Sequence, residues 1–265
     1  MDPSQRERFT GRIYVKHNRD HAVAFADMAA SQGSTDEYTI LNLFCDGSMD
    51  VTDTNRGGIS VVYQPPAPGR GGSHRDLVGA AWPVNPVYDC ALGELLAVSE
   101  ALTTALHQIS ELDSTTTTTH HRSGKPTLVR IFNDNMFNIE YLAAATPRQL
   151  APHLLTLAEP VLALIAVQSW ALQNMRPGIQ LELHWMPGHF HRVRAHCWAD
   201  ELAKGARASG WAFDSTRKGS PWFRGAESES CVVPFLREEL DLAAAKSGRC
   251  GGMVVQAGRV PVEVY

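Results

Sequence analysis

The sequence predicts an α/β fold with one mixed sheet and helices on its faces. Three strand-like segments come first, joined by short connections, and helical and strand-like segments then alternate. The resulting order, β-β-β-α-β-α-β-α, is typical of a sheet that packs helices against its faces. At 265 residues the chain can form one well-buried core with extensions, or at most two small domains.

The first three strands are predicted to form an antiparallel meander. Residues 38–45 are β-rich and apolar on both faces, as in a central strand. A second strand over residues 59–64 opens after the Gly-Gly pair at 57–58, and a third covers residues 76–82. Between these two strands, the proline and glycine density of residues 65–73 predicts a turn or loop.

Helices and strands alternate in the next part of the chain. Apolar residues recur at 3.6-residue spacing over residues 91–109, which predicts a long helix. Residues 114–123 hold five consecutive threonines and two histidines, and they are predicted to form a polar loop without chemistry. A strand over residues 127–132 is followed by an apolar helical region over residues 139–174, with breaks near Pro147, Pro152 and Pro160. A strand over residues 179–185 and a short helix that begins near Trp198 come next.

The composition divides the chain into three parts. They are a polar N-terminal extension (1–37) with one strand-like run (12–16), a central domain (38–210) and a C-terminal extension (211–265). The C-terminal part is rich in glycine, serine and charge, and it is predicted to hold a helix over residues 233–246 and a strand-like end over residues 253–265.

Bulk properties are those of an ordinary globular protein. Apolar residues make up 44% and charged residues 20% of the chain. The net charge of −4 gives no support for a nucleic-acid partner, because many such domains are strongly basic. The five cysteines form no CxxC pair, and no secretory signal or bilayer-spanning stretch is visible. The sequence therefore predicts an intracellular protein with reduced thiols, and does not separate nucleus from cytoplasm.

Four acidic residues occupy informative positions on these elements. Asp46 ends the predicted first strand and Asp134 ends the predicted fourth strand, where α/β sheets usually carry a site. Glu94 is predicted in the first turn of the long helix and Asp200 in the short helix, each beside the apolar stripe. Each acid alone also fits an ordinary turn, cap or helix-dipole role.

A cluster of such acids has a distinct chemistry. Acidic residues that border a core are poorly hydrated, and together they raise one another's pKa unless cations neutralise them. Oxygen ligands of this kind suit hard cations such as Mg²⁺ or Mn²⁺.

In their order and local motifs, these segments resemble the ribonuclease H type 1 family. The resemblance covers residues 38–210. Its most specific parts are Trp-Met-Pro-Gly-His at 185–189 and Ala-Asp-Glu-Leu-Ala at 199–203. The other matching segments are Leu-Phe-Cys-Asp-Gly-Ser at 43–48, the Gly-Gly pair at 57–58, the start of the long helix at 92–102, and Val-Arg-Ile-Phe-Asn-Asp-Asn at 129–135.

The resemblance implies both a fold and an activity. The fold is ribonuclease H-like: a mixed five-stranded sheet, with an antiparallel meander of strands 1–3 followed by parallel strands 4 and 5, and helices on both faces. The activity is that of a monomeric endoribonuclease, with no membrane partner, that hydrolyses the RNA strand of RNA–DNA hybrids with two divalent ions, Mg²⁺ or Mn²⁺.

The resemblance also implies a role for individual residues. Asp46 would bridge both ions, Asp200 would hold the ion that activates water, and Glu94 and Asp134 would hold the ion that stabilises the leaving oxygen. His189 would assist proton transfer or product release. Gly47 and Ser48 would approach the 2′-hydroxyls that distinguish RNA from DNA, with Asn55 and Asn135 as candidate groove contacts.

The sequence departs from the family pattern near the last acid. His196 stands where the family usually has Asn, the segment from His189 to Asp200 is one residue longer, and the acid on the fourth strand is flanked by Asn133 and Asn135 instead of Ser or Thr. A lysine-rich handle found in some members is also missing between residues 139 and 174.

Three alternatives remain open from the sequence. A proofreading exonuclease would carry Glu where Ser48 stands, and an integrase-type transferase would carry Glu where Asp200 stands. A catalytically weak or silent nucleic-acid-binding module, in that hypothesis derived from a retroelement, would account for the altered His196 region. A zinc site would instead use the group His184, His189, His191, His196 and Cys197, although the spacings match no recurrent zinc motif.

Overall fold

The computed structural model describes most of the predicted central domain and parts of both extensions. The described residues are 9–16, 18–50, 56–66, 77–84, 87, 89–116, 125–143, 152–188, 191–218, 220–223 and 262–263. No helix within these ranges is long and apolar enough to cross a membrane.

Strands and helices alternate along the described chain. The strands are β1 (Arg12–Tyr14), β2 (Thr39–Met49), β3 (Gly57–Tyr63), β4 (Val78–Val84), β5 (Thr127–Asn133), β6 (Ile179–Trp185), β7 (Ala212–Asp214), β8 (Trp222–Phe223) and β9 (Val262–Glu263). The helices are α1 (Arg19–Ser31), α2 (Cys90–Thr116), α3 (Met136–Ala143), α4 (Pro152–Asn174) and α5 (Arg194–Ser209).

The strands join in one sheet with the order β8-β7-β4-β3-β2-β5-β6-β1-β9. At its centre, β4, β3 and β2 form an antiparallel meander, and β2, β5 and β6 run parallel. This is the five-strand arrangement that the sequence predicts, and the ribonuclease H-like fold class is confirmed.

Helices cover both faces of the sheet because β2 and β5 alternate their side chains between two apolar clusters. Leu41, Leu43 and Ile131 pack with α2, α3 and α4 on one face. Phe44 and Phe132 pack with α1 and α5 on the other. The approach of α5 is close: a side chain at Gly58 of β3 would collide with the Ala203 carbonyl oxygen of α5. The Gly-Gly motif thus has a packing role, since only glycine lets helix and sheet meet at this distance.

Two helix predictions are wrong in part. α4 continues through Pro160 instead of breaking there. Proline removes one backbone hydrogen bond, a local cost that the burial of Val161 and Ile165 offsets. α2 runs to Thr116, so residues 114–116, predicted to belong to a loop, are helical.

The polar N-terminal segment contributes to the same sheet. The predicted strand-like run is confirmed as β1, which pairs in parallel with β6. α1 was not predicted from the sequence, because its buried positions are mainly alanines, which give a weak apolar periodicity. The three-part division of the chain stays a prediction.

Several sequence predictions fall outside the described residues. They include most of the loop at 65–73, residues 117–123 of the threonine-rich segment, the break near Pro147 and the helix at 233–246. Of the strand-like end at 253–265, only Val262 and Glu263 are described, as β9.

Candidate active site

The candidate site lies at the end of the sheet where β2 and β5 part. Their parallel pairing ends at Phe44 and Phe132, whereas β2 continues beside β3 as far as Met49. Asp46 lies in this continuation and is buried opposite Ser60. The sequence predicted Asp46 at the end of a strand, and this is wrong: β2 continues past it to Met49. Asp46 is nevertheless beyond the end of the parallel pairing, where the crevice between diverging strands forms.

Asp134 follows β5 directly and is held by the Trp-Met-Pro-Gly segment. The indole Nε1 of Trp185 donates a hydrogen bond of 3.0 Å to the Asp134 carbonyl oxygen. Gly188 packs so closely that a side chain there would collide with the Asp134 carboxylate. The motif therefore positions the backbone of Asp134 and leaves room for its carboxylate.

Glu94 approaches the site from α2 and is buried. Its Oε2 accepts hydrogen bonds from the Gly47 amide at 3.1 Å and from Asn133 Nδ2 at 2.8 Å. Gly47 permits this approach, since a Cβ there would lie only 2.5 Å from the carbonyl carbon of Gly93. The first-turn prediction for Glu94 is wrong: Asp89 accepts from the Ala91 amide at 2.6 Å, so α2 begins at Cys90 and Glu94 falls in its second turn.

Asp200 points to the same region from α5 and has a cationic partner. Lys204 Nζ donates to Asp200 Oδ2 at 2.6 Å, an i,i+4 pair in which both side chains are partly exposed. α5 begins at Arg194, earlier than predicted, and Asp200 lies in its second turn.

His196, in the first turn of α5, completes the group. Its Nε2 is 3.3 Å from Asp134 Oδ2. Asp46, Asp134 and His196 each offer one ligand atom, and these three atoms lie within 4.8 Å of one another. Among the described residues, these three form the group that could hold a metal ion. The His196 ring is buried, and its Nδ1 has no hydrogen-bond partner in the described part of the chain.

Burial and neighbouring charges together raise the pKa of two carboxylates and of His196. Burial raises the pKa of Asp46 to about 7, with Asp134 and Asp200 adding to the rise and His196 and Lys204 opposing it. Burial and the charges of Asp46 and Asp134 raise the pKa of Glu94 well above its usual value. Burial lowers the pKa of His196, but its contact with Asp134 and the charges of Asp46 and Asp200 outweigh this and raise it.

These residues fit a divalent cation. The negative charges of Asp134 and Asp200 act on Asp46, and those of Asp46 and Asp134 act on Glu94, which is the kind of repulsion that a bound cation removes. Asp46 and Asp134 supply oxygen ligands within reach of each other. Of the Asp-Glu-Asp-Asp set predicted from the sequence, Asp46 and Asp134 lie in the three-residue cluster and Glu94 and Asp200 lie outside it, and the ligand roles of all four stay predictions.

The predicted substrate contacts divide into three cases. Gly47 and Ser48 lie beside Asp46 on β2, and the Gly47 amide is already used by Glu94. Asn135 caps α3, since its Oδ1 accepts a hydrogen bond from the Asn138 amide at 3.0 Å. This is an ordinary structural role for an asparagine. Asn55 and His189 lie outside the described residues.

The zinc alternative gains no support from the described residues. His184 lies on β6 and contacts Glu182 at 3.0 Å, with its ring stacked on Tyr14. His196 is directed instead to Asp134.

Sequence reasoning missed three contributions to the site. Asn133 was noted only as an unusual neighbour of Asp134, yet it orients Glu94. His196 was noted as a departure but not as a partner of Asp134. The Asp200–Lys204 pair could have been found from its i,i+4 spacing on a predicted helix.

Comparison with known proteins gives matches among solved structures alone. No protein-family model and no curated protein matches the chain. The protease–reverse transcriptase of prototype foamy virus is similar over 66% of this chain at 18% identity with a TM-score of 0.39, and the match spans 21% of that protein.

LC11-RNase H1, isolated from compost by a metagenomic approach, is similar over 64% of this chain and 96% of its own at 15% identity with a TM-score of 0.35. A foamy viral protease–reverse transcriptase in complex with RNA/DNA hybrid is similar over 68% of this chain and 20% of its own, at 12% identity with a TM-score of 0.36. The chain thus spans about a fifth of the viral proteins, and the fold assignment rests on the strand order and directions described above.

Proposed function

We propose that this protein is an endoribonuclease that hydrolyses the RNA strand of RNA–DNA hybrids with divalent metal ions. One observation carries the proposal. Asp46 on β2, Glu94 on α2, Asp134 directly after β5 and Asp200 on α5 follow the Asp-Glu-Asp-Asp order of the ribonuclease H resemblance, and their charges act on one another through Asp46 and Glu94. Because fold alone does not decide activity, this convergence of side chains is the stronger support.

The four carboxylates would hold the ions, Mg²⁺ or Mn²⁺. When bound, such ions lower the pKa of water and stabilise the leaving oxygen of a phosphodiester. The protein contributes orientation: Asn133 and the Gly47 amide hold the Glu94 carboxylate, and Trp185 holds the backbone of Asp134. In this proposal His189 moves a proton or assists product release.

The substrate would lie over the end of β2. Ser48 lies two residues after Asp46, on the same face of β2, and would be the contact for an RNA 2′-hydroxyl that approaches the carboxylates. Basic residues near this end are already engaged in part: Arg207 donates to the Met49 carbonyl oxygen at 2.9 Å, and exposed Arg192 pairs with Asp27 at 3.4 Å. Few phosphates would therefore be neutralised, and we expect weak binding of the hybrid.

The proposal is tested by incubating full-length protein with end-labelled RNA–DNA hybrid and with double-stranded RNA, in Mg²⁺, in Mn²⁺ and in EDTA. We expect endonucleolytic cuts in the RNA strand of the hybrid, in either metal and not in EDTA. Intact hybrid under every condition, or cutting that persists in EDTA, would overturn the proposal.

A catalytically silent nucleic-acid-binding module is the second candidate. It is favoured by the cationic partners of two of the acids, since Lys204 contacts Asp200 and His196 contacts Asp134. A side chain that supplies positive charge here competes with a metal ion. This candidate predicts binding of the hybrid without cleavage in either metal.

A further inference from the structure

We propose that His196 is a metal ligand, so that the site is a mixed carboxylate–imidazole centre that prefers Mn²⁺ to Mg²⁺. The inference rests on the metal site in the proposed function and goes beyond it, because it assigns a nitrogen donor and a metal preference.

The first support is geometric. His196 shares with Asp46 and Asp134 the group whose ligand atoms lie within 4.8 Å of one another. Its Nε2 lies 3.3 Å from Asp134 Oδ2, so an ion held by that carboxylate oxygen would have the imidazole nitrogen within reach. Glu94 and Asp200, in contrast, are engaged by Asn133 and Lys204.

The second support is the environment of the ring. His196 is 2% exposed, and its Nδ1 has no partner in the described part of the chain. A buried polar nitrogen without a partner is costly and calls for an explanation, and a bound ion at the site is one of those known in native proteins. Its other nitrogen faces two carboxylates that a cation would neutralise.

The position of His196 on α5 fixes the ring. The residue lies in the first turn, between buried Ala195 and half-buried Cys197, and Ala199 one turn later packs on the sheet. The Cys197 amide donates to the Val193 carbonyl oxygen at 3.0 Å, which closes this turn. The imidazole is therefore carried on a rigid element, as a ligand must be.

The metal preference follows from donor chemistry. Sites made of oxygen ligands suit Mg²⁺, whereas an imidazole nitrogen shifts affinity toward transition metals. Mn²⁺ accepts both donor types, so it should bind more tightly than Mg²⁺. Since loss of an outer partner of a ligand already costs roughly 10–100-fold in affinity, loss of the nitrogen donor should cost Mn²⁺ at least about 10-fold.

The test uses metal-free, full-length protein without nucleic acid. Mn²⁺ binding is measured by the EPR signal of free Mn²⁺, Mg²⁺ binding by competition, and nitrogen coordination by ¹⁴N modulation of the Mn²⁺ electron spin echo. The variants are His196→Asn and His196→Gln. His191→Asn, at an exposed position outside the cluster, is the matched control, and His189→Asn tests the other candidate histidine.

We expect ¹⁴N modulation and a Mn²⁺ preference in the wild type, in His191→Asn and in His189→Asn, and loss of both in the two His196 variants. If those variants fail to fold, persistence of the modulation in His189→Asn and His191→Asn excludes these two histidines as its source, and its loss in either variant would overturn the role of His196. Mn²⁺ bound without ¹⁴N modulation, with hybrid cleavage intact, would overturn the role of His196 and leave the proposed function standing. Absence of any Mn²⁺ binding would overturn both.

Discussion

Two glutamates that are mostly shielded from solvent have opposite electrostatic environments. Glu182 on β6 and Glu94 on α2 are both mostly shielded from solvent. Burial alone raises the pKa of both, yet the pKa of Glu182 ends below its usual value and that of Glu94 far above it. The difference lies in the charges that surround each carboxylate.

Glu182 belongs to a group that neutralises itself. Arg130 Nε and His184 Nε2 both contact its Oε2, at 3.1 and 3.0 Å. Tyr14 stacks on His184, and Arg130 lies over the ring of Phe25. Every charge in this group has a partner within the chain, so it needs no ligand and has a structural role.

Glu94 belongs to a group with excess negative charge. Its carboxylate receives neutral donors, Asn133 and the Gly47 amide, while Asp46 and Asp134 repel it. His196 and Lys204 offset only part of the charge on Asp46. A fold that places four carboxylates together retains a cost that an external cation removes, and this contrast is what points to function.

The largest expected effect is on catalysis. Asp46→Asn should lower hybrid cleavage on the order of 10³-fold, because it removes the carboxylate that clusters with Asp134 and acts most strongly on Glu94, while keeping its shape. Initial rates in Mg²⁺ and Mn²⁺ measure this. Asp113→Asn, which alters a surface pair with Arg176, is the control and should cleave like the wild type. Near wild-type turnover in Asp46→Asn would show that the site is elsewhere.

The second-largest effect is expected on stability, when the group of Glu182, Arg130 and His184 loses its negative charge. Glu182→Gln leaves Arg130 and His184 without a charged partner, so it should lower the free energy of unfolding by about 3 kcal/mol. Urea denaturation in EDTA measures it. Asp113→Asn should cost less than about 1 kcal/mol, because that pair is partly exposed. Equal losses in the two variants would show that Glu182 is no better paired than a surface carboxylate.

In metal-free protein, removing one charge from the carboxylate cluster should raise the free energy of unfolding, and the effect should be largest at high pH. The folded state raises the pKa of Asp46 from 3.8 to about 7, so it binds the proton more tightly than the unfolded state. The resulting stability is fully present below about pH 4 and is lost as pH rises through about 7. Asp46→Asn cannot ionise, so it should be more stable than the wild type by roughly 1–3 kcal/mol at pH 8.

At pH 5 the difference should be smaller, because Asp46 is then still protonated in the folded state and only the unfolded state has ionised. Urea unfolding in EDTA at both pH values provides the comparison. A wild type that is the more stable protein at pH 8 would mean that the cluster carries no excess negative charge.

The smallest effect concerns Lys204. Its pair with Asp200 is partly exposed, so Lys204→Ala should lower stability by only about 0.3–0.5 kcal/mol. The same change frees the Asp200 carboxylate, and metal affinity measured by Mn²⁺ titration should rise. Unchanged or weaker affinity would mean that Lys204 does not compete with a cation.

Much of this fold could be predicted from the sequence because its signals are periodic. β6 has the predicted bounds, and α2 follows the predicted leucine spacing. α1 was not predicted, because buried alanines give little apolar contrast along the sequence. The helix break predicted near Pro160 is wrong, because tertiary burial outweighs the loss of one hydrogen bond.

The site was predictable only in its acids. Motif order located Asp46, Glu94, Asp134 and Asp200, but it does not show which side chain each carboxylate contacts. The contact of His196 with Asp134 joins α5 to the end of β5, and that distance depends on how the helix packs. Asn133 likewise reaches Glu94 across the gap between sheet and helix.

The contrast between the neutralised Glu182 group and the carboxylate cluster around Glu94 is tested most directly by one measurement. It is the free energy of unfolding as a function of Mn²⁺ concentration at pH 8, for wild type, Asp46→Asn and Glu182→Gln. A ligand that binds only the folded state stabilises it by about 2.7 kcal/mol at 100 times its dissociation constant. We predict that stability rises with log Mn²⁺ concentration in the wild type and in Glu182→Gln, and stays flat in Asp46→Asn. A flat wild-type response, or an equal rise in Asp46→Asn, would contradict the assignment of the carboxylate cluster as the cation site.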